Sequence, residues 1–115
     1  VTRDQLPARR PNETREVEHA GHRFTVTIGY DLSGRPLEVF ADGTRIGTDL
    51  GHVVSDACVV MSLALQHGCP PALLPKSMGR VPDLLTGADA CRPASVLGSI
   101  AGVIAEAGLG PGSAA

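Results

Sequence analysis

The sequence predicts an α+β domain: a small antiparallel sheet of about three strands packed on a long central helix, followed by a short helix and a C-terminal helix. Three observations predict it. Apolar residues alternate with polar ones between Thr14 and Ala41, the period of a half-buried strand. From Asp49 to Gly68, DLGHVVSDACVVMSLALQHG, apolar residues recur at three- and four-residue spacing, the period of a helix. A second helical pattern closes the chain beyond an interval rich in Pro and Gly.

Residues 1–13, VTRDQLPARRPNE, hold Arg3, Arg9 and Arg10 beside Pro7 and Pro11, with too little apolar area to offset the entropy of ordering. They read as a flexible basic tail, either solvated or an arm that orders on an acidic partner. The domain proper is expected over residues 14–107, with a second flexible tail, GLGPGSAA, over 108–115. In the first strand Arg15, Val17 and His19 alternate with Glu16 and Glu18, and Ala20-Gly21-His22 makes a turn. Arg23 to Tyr30 then puts Phe24, Val26, Ile28 and Tyr30 on one face and Thr25 and Thr27 on the other. Ser33-Gly34 is turn chemistry, and Pro36 opens a return strand to Ala41 with Leu37 and Val39 inward. Proline fits only the start of that strand, because it has no N–H to give the ladder.

On the central helix Leu50, Val53, Val54, Ala57, Cys58, Met61, Ala64 and Leu65 form one broad apolar face. The opposite stripe, His52, Ser55, Asp56, Val59, Ser62 and Gln66, is polar except for Val59. Thr48 or Asp49 caps the first turn, and Gly68 is a ready residue for the left-handed C-terminal position. Cys69-Pro70-Pro71 breaks the chain and opens a short helix from Pro71 to Met78, with Ala72, Leu73 and Leu74 as its buried side. Residues 79–93 read as an irregular loop. The last helix, Ala94 to Ala107, is apolar at Val96, Leu97, Ile100, Val103 and Ile104. Gly98 and Gly102 cost it roughly 1 kcal/mol each against Ala, which close approach of another helix would offset.

The chain of 115 residues has two Phe, one Tyr and no Trp, so its core is aliphatic and has little stability to spare. That margin, together with Val59 on the polar stripe and the flat surface at Gly98 and Gly102, leads to the expectation of a homodimer. A net charge of −2 with no basic stripe excludes general nucleic-acid binding. Nine of the ten basic residues are Arg, a bias towards bidentate contact with carboxylate or phosphate. No apolar run reaches the roughly 18 residues that span a bilayer, so no membrane partner is expected and the location is read as cytoplasmic. Cys58, Cys69 and Cys91 form no CxxC pair, which predicts neither a disulfide framework nor a metal site, and no cofactor is implied.

Several constellations bear on function. Gly43-Thr44-Arg45-Ile46-Gly47-Thr48 leads into the central helix; two glycines, an arginine and free N–H groups there suit an anion, such as a phosphorylated small ligand. The same residues also suit an ordinary capped connection, and Gly43, Thr44, Arg45, Gly47 and Thr48 are carried as ligand candidates. His19 and His22 flank a turn but have no carboxylate or thiol tied to them. His52 and Asp56 lie one helical turn apart near Ser55, without a substrate or nucleophile to serve. Cys91, beside Arg92 and just before a helix, is the thiol most exposed to positive potential. No catalytic residue is assigned.

SGRPLEVFADGTRIG, Ser33 to Gly47, and SLALQHGCPPALL, Ser62 to Leu74, resemble the hairpin-loop and the helix-end break of the TSCPD domain. That family supplies the C-terminal module of adenosylcobalamin-dependent ribonucleoside-diphosphate reductases and also short stand-alone bacterial proteins. The resemblance covers roughly residues 23–106. Ala90-Cys91-Arg92-Pro93 falls where the family carries its Thr-Ser-Cys-Pro-Asp motif; a cysteine and a proline two residues on are kept, and paired cysteines for a thiol relay are absent. The resemblance implies an α+β domain associated with ribonucleotide reduction, an accessory or regulatory binding protein with a reductase or other protein as partner. The radical reaction itself needs a large barrel for which this chain has no room. A thiol- or metal-dependent activity centred on Cys91 is the alternative.

Overall fold

Three strands, β1 (Asn12–His19), β2 (His22–Tyr30) and β3 (Pro36–Asp42), form an antiparallel sheet in the order β1-β2-β3. The structure is a computed structural model and describes residues 12–43, 48–83 and 90–109. The alternation seen in the sequence decides which side of the sheet is dry. Val17, Phe24, Val26, Ile28, Leu37 and Val39 are buried, with Val17 opposite Phe24 and Ile28 opposite Val39. Thr14, Thr27 and Phe40 share a row of the other face, where Phe40 is 54% exposed. β1 starts two residues earlier than expected. Its Glu13 accepts two hydrogen bonds from the Arg15 guanidinium at 3.1 Å and one from the Tyr30 hydroxyl, and those bonds hold the Glu13 carboxyl below its usual range.

β1 and β2 are joined by a two-residue turn in which Ala20 (φ 50°) and Gly21 (φ 81°) both take the left-handed conformation, matching the twist of the strands it connects. Gly43 closes the sheet at φ 126°; a Cβ there would lie 2.4 Å from the Arg23 carbonyl oxygen, so only glycine fits.

The helices α1 (Asp49–Gln66) and α2 (Val96–Ala107) cover the dry face, α1 along β3 and α2 over β1. Thr48 caps α1 by accepting from the Gly51 N–H at 3.1 Å, and Ser95 caps α2 by accepting from the Gly98 N–H at 3.2 Å. At the end of α1, Gly68 turns left-handed at φ 96° while the Cys69 N–H reaches back to the Ala64 carbonyl at 3.0 Å. Val54, Cys58, Met61 and Leu65 of α1 meet Val96, Ile100, Ala101 and Ile104 of α2 and the sheet in one aliphatic core. Each fully buried Leu, Ile, Val or Met there contributes about 1.5–3 kcal/mol.

The buried arc of α1 is rotated from the one expected. Val53 is 47% exposed, whereas Ser62 is half-buried and Gln66 is 3% exposed. The reason is the edge of β3, whose outward backbone groups pair with no fourth strand among the described residues. Ser62 Oγ accepts from the Val39 N–H at 3.0 Å and donates to the Val39 carbonyl at 3.3 Å, and Gln66 Nε2 donates to the Leu37 carbonyl at 3.1 Å. Cys58 lies beside Ala41 along the same seam. Cys58, Ser62 and Gln66 thus meet Ala41, Val39 and Leu37. Four helical residues advance about 6.0 Å and two strand residues about 6.8 Å, so one ridge of the helix follows the strand edge in place of a neighbouring strand.

Three other expectations are corrected. Residues 71–78 do not form a helix: Pro71–Leu73 is a single 3-10 turn, followed by i→i+3 turns from Pro71 to Leu74, Leu73 to Lys76 and Pro75 to Met78. Pro75 has no N–H to bond the Pro71 carbonyl, so a helix cannot propagate, and of the three residues expected to be buried only Leu74 is partly so. Within 79–93, β4 (Arg80–Pro82) pairs antiparallel with β5 (Cys91–Pro93) as a separate ribbon. Three-residue strands ending in proline leave no period to read. The last helix starts at Val96, two residues later than expected, because Ser95 caps it. None of the described helices is long and apolar enough to cross a membrane.

Candidate functional site

A cleft of about 540 Å³ opens where the β1–β2 turn, the β4–β5 ribbon and the first turn of α2 converge. The turn contributes Glu18, His19 and Ala20; the ribbon contributes Pro82, Arg92 and Pro93, with Asp83 beside it; α2 contributes Ser99. Packing fixes these pieces. Pro93 lies against α2 at Gly98, where a Cβ would sit 3.0 Å from the Pro93 Cβ, and the Ala94 N–H bonds the Gly79 carbonyl at 2.9 Å. Arg80 clips the two ribbon strands together by donating from Nη2 to the Cys91 carbonyl at 2.9 Å.

His19 Nδ1 and Ser99 Oγ are 2.9 Å apart, and either atom donates according to the imidazole tautomer. A half-buried imidazole held by a hydroxyl, with a guanidinium on the facing wall, supplies donors for an anionic group. Glu18, whose carboxylate also lies 3.9 Å from the Arg23 guanidinium, is an exposed acceptor at the rim, and Asp83 lines the cleft beside it. Ala20, held at positive φ by the two-residue turn, lines the same cleft.

The residues singled out from sequence fare differently. Arg92 faces this cleft, whereas Cys91 is exposed and does not line it. Cys69 is half-buried with Sγ 3.6 Å from the Pro70 carbonyl. Cys58 is buried in the core, and burial pushes its thiol up to about 11. Of the anion-loop candidates, Thr44, Arg45 and Gly47 lie outside the described residues; Gly43 is accounted for by its close approach to Arg23 and Thr48 by its capping of α1. His52 and Asp56 are both exposed, and His22 is exposed across the turn from His19. Among the described residues no three His, Cys, Asp or Glu side chains are grouped to hold a metal ion. Val59 is 56% exposed, as an interface residue must be. Gly98 is buried inside the chain against Pro93, and a Cβ at Gly102 would meet nothing within 4 Å.

Sequence reasoning missed Ser99, Asp83 and Ala20. Ser99 is a polar residue in a helix of otherwise apolar and small residues up to Glu106, which was the one available signal. Its partner is 80 positions away, beyond any local pattern.

Fold and cleft together define a small two-layer α+β module with a ligand-sized recess of mixed lining at one end of its sheet. The chain belongs to the TSCPD domain family, whose pattern matches residues 2–107. Its similarity extends to vitamin B12-dependent ribonucleotide reductases. It is 31% identical over 68 residues to that of Rhodopirellula baltica, covering 59% of this chain and 6% of the reductase. It is likewise 31% identical over 68 residues to that of Bradyrhizobium diazoefficiens, covering 59% of this chain and 5% of the reductase. The chain therefore corresponds to a small part of each of those proteins. No solved structure matches it.

Proposed function

We propose that this domain is a non-catalytic binding module that serves ribonucleotide reduction as an accessory or regulatory element, with a small phosphorylated ligand in the His19–Arg92–Ser99 cleft. The observation that carries the reading is that β5, which resembles the family's signature motif in its cysteine and proline, lines the same recess through Arg92 and Pro93 as His19 and Ser99. Relatives named as ribonucleotide reductases handle phosphorylated nucleosides by definition. The mixed lining fits such a ligand: Arg92 and His19 for phosphate oxygens, Glu18 for sugar or base donors. Deoxyribonucleotide synthesis is then the process served, and a reductase the protein on which the module acts.

The test is a thermal melt with millimolar CDP, ADP or pyrophosphate. A ligand at 100 times its Kd stabilises by about 2.7 kcal/mol, which for a domain of this size moves Tm by about 10 °C. Arg92→Ala should abolish the rise and leave the unliganded melt within about 2 °C of the parent, and His19→Ala should abolish it while lowering the unliganded melt by about 5 °C, for the lost bond to Ser99. Arg45→Ala should leave the rise intact; if it alone abolishes it, the ligand belongs to the loop before α1. No rise with any of the three compounds in the parent protein refutes the reading.

A further inference from the structure

The helix α1 is apolar on two sides. One side lies in the core, while Val53, Val59, Val60 and Leu63 face solvent, with Val60 65% and Val59 56% exposed. Phe40 continues the same surface on β3, where it shares the lining of a shallow recess with Val59 and Leu63. Single exposed valines need no explanation, whereas five large apolar side chains in one patch mark a surface that another chain covers.

The spacing along α1 narrows what that chain is. Val53, Val60 and His67 recur every seven residues, and Asp56 and Leu63 fall three positions after the first two. Alternating steps of three and four residues are those by which one helix seats on another. At about 100° per residue the five positions span an arc of roughly 80°, one stripe, and all five are exposed. The stripe carries a carboxylate at one end and an imidazole at the other, with Val60 and Leu63 between them.

Such a stripe is complementary to itself when reversed. In a parallel pair, Asp56 would meet Asp56 and His67 would meet His67. Run antiparallel about a two-fold axis level with the midpoint between Met61 and Ser62, Val60 comes opposite Leu63 of the second copy and Asp56 opposite His67. The two-fold repeats both layers, giving a central Val and Leu cluster closed at each end by a carboxylate facing an imidazole N–H. Val59 flanks the cluster, and the opposed helix dipoles favour the same orientation.

We propose that α1 is a self-association surface through which two copies of this chain pair antiparallel, Val60 on Leu63 and Asp56 on His67, across a two-fold axis. The contact uses no residue of the His19–Arg92–Ser99 cleft, so it stands apart from the ligand reading. A contact made by one helix from each copy lies near the roughly 1,200 Å² at which stable interfaces begin, so a Kd of about 1–100 μM is expected.

The test is sedimentation of the full chain from about 5 to 500 μM, where the mean mass should rise from monomer to dimer. Val60→Lys, at an exposed position, sets like charges beside the axis and should weaken association by about tenfold or more. Leu32→Lys, at an equally exposed apolar position in the β2–β3 turn, should change it less than about twofold. His67→Glu places a carboxylate opposite Asp56 at both ends of the contact and should weaken it by about threefold or more; adding Asp56→Arg to the same chain should restore it to within about twofold of the parent. Melting curves at the lowest concentration confirm that each variant is folded. A parent that stays monomeric to about 500 μM leaves this face to a different chain and overturns the proposal. So does a dimer that Val60→Lys leaves intact, or one that His67→Glu weakens and Asp56→Arg fails to restore.

Discussion

The α1–β3 seam and the His19–Arg92–Ser99 cleft sit at different parts of one small domain and are built in opposite ways. At the seam, one helical ridge answers one strand edge residue for residue: Cys58, Ser62 and Gln66 for Ala41, Val39 and Leu37. Behind it lie Val54, Met61 and Leu65, each no more than 5% exposed. The cleft is assembled from a tight turn, a ribbon of three-residue strands and a helix start, with a half-buried His19 and a positive-φ Ala20. The difference separates stability from ligand chemistry. Regular elements in long register bury area and resist change. Short, loosely covered pieces leave donors and acceptors facing solvent, where a ligand can use them.

Breaking the seam should therefore have the largest effect. Met61→Asp places a carboxylate without a partner in an aliphatic core, and the expected loss of about 4 kcal/mol or more should unfold the domain. A soluble Met61→Asp protein with a cooperative melt would show that α1 presents another face to the sheet. A subtler test removes only the zipper. Ser62→Ala orphans both the N–H and the carbonyl of Val39, and Gln66→Leu orphans the Leu37 carbonyl. Each should cost about 1–3 kcal/mol in urea denaturation. Ser99→Ala, at the cleft, deletes one hydrogen bond of similar length to a half-buried partner and should cost about 1 kcal/mol or less. If Ser99→Ala costs as much as Ser62→Ala, the contrast between the two regions fails.

The smallest effect at neutral pH, and the sharpest in direction, concerns Cys58. Burial raises its thiol from 9.0 to about 11, so the folded protein keeps a proton that the unfolded chain releases. Stability from this group is intact below pH 9 and lost as pH rises from about 9 towards 11. Urea midpoints measured across that interval should fall, and Cys58→Val should flatten the fall. Under native conditions at pH 8, Cys91 should alkylate first and Cys58 last, since one is exposed and the other buried. Alkylation of Cys58 at the rate of Cys91 would show that the seam opens far more readily than its packing implies.

The sequence by itself determined the periodic part of this protein. Alternation from Thr14 to Ala41 specified three strands and their dry face, helical spacing specified α1 and α2, and Thr48 and Gly68 marked the ends of α1. These features are local, since a period of 2 or 3.6 residues and a cap are written within a few positions. The resemblance carried by Ser33 to Gly47 and Ser62 to Leu74 likewise led to the right family. Tertiary structure alone decided the rest. Ser62 and Gln66 look like solvent residues on a helical wheel, and they turn inward because the outer edge of β3 needs polar partners. Pro75 stops the turn after Pro71, and the ribbon of β4 and β5 exists only because two aperiodic triplets meet. His19 and Ser99 form a pair only once β1 and α2 are packed together. The physical reason is one of range: hydrophobic period is a property of neighbours in sequence, whereas satisfying a buried donor or building a cleft depends on which distant groups the packing brings within about 3 Å.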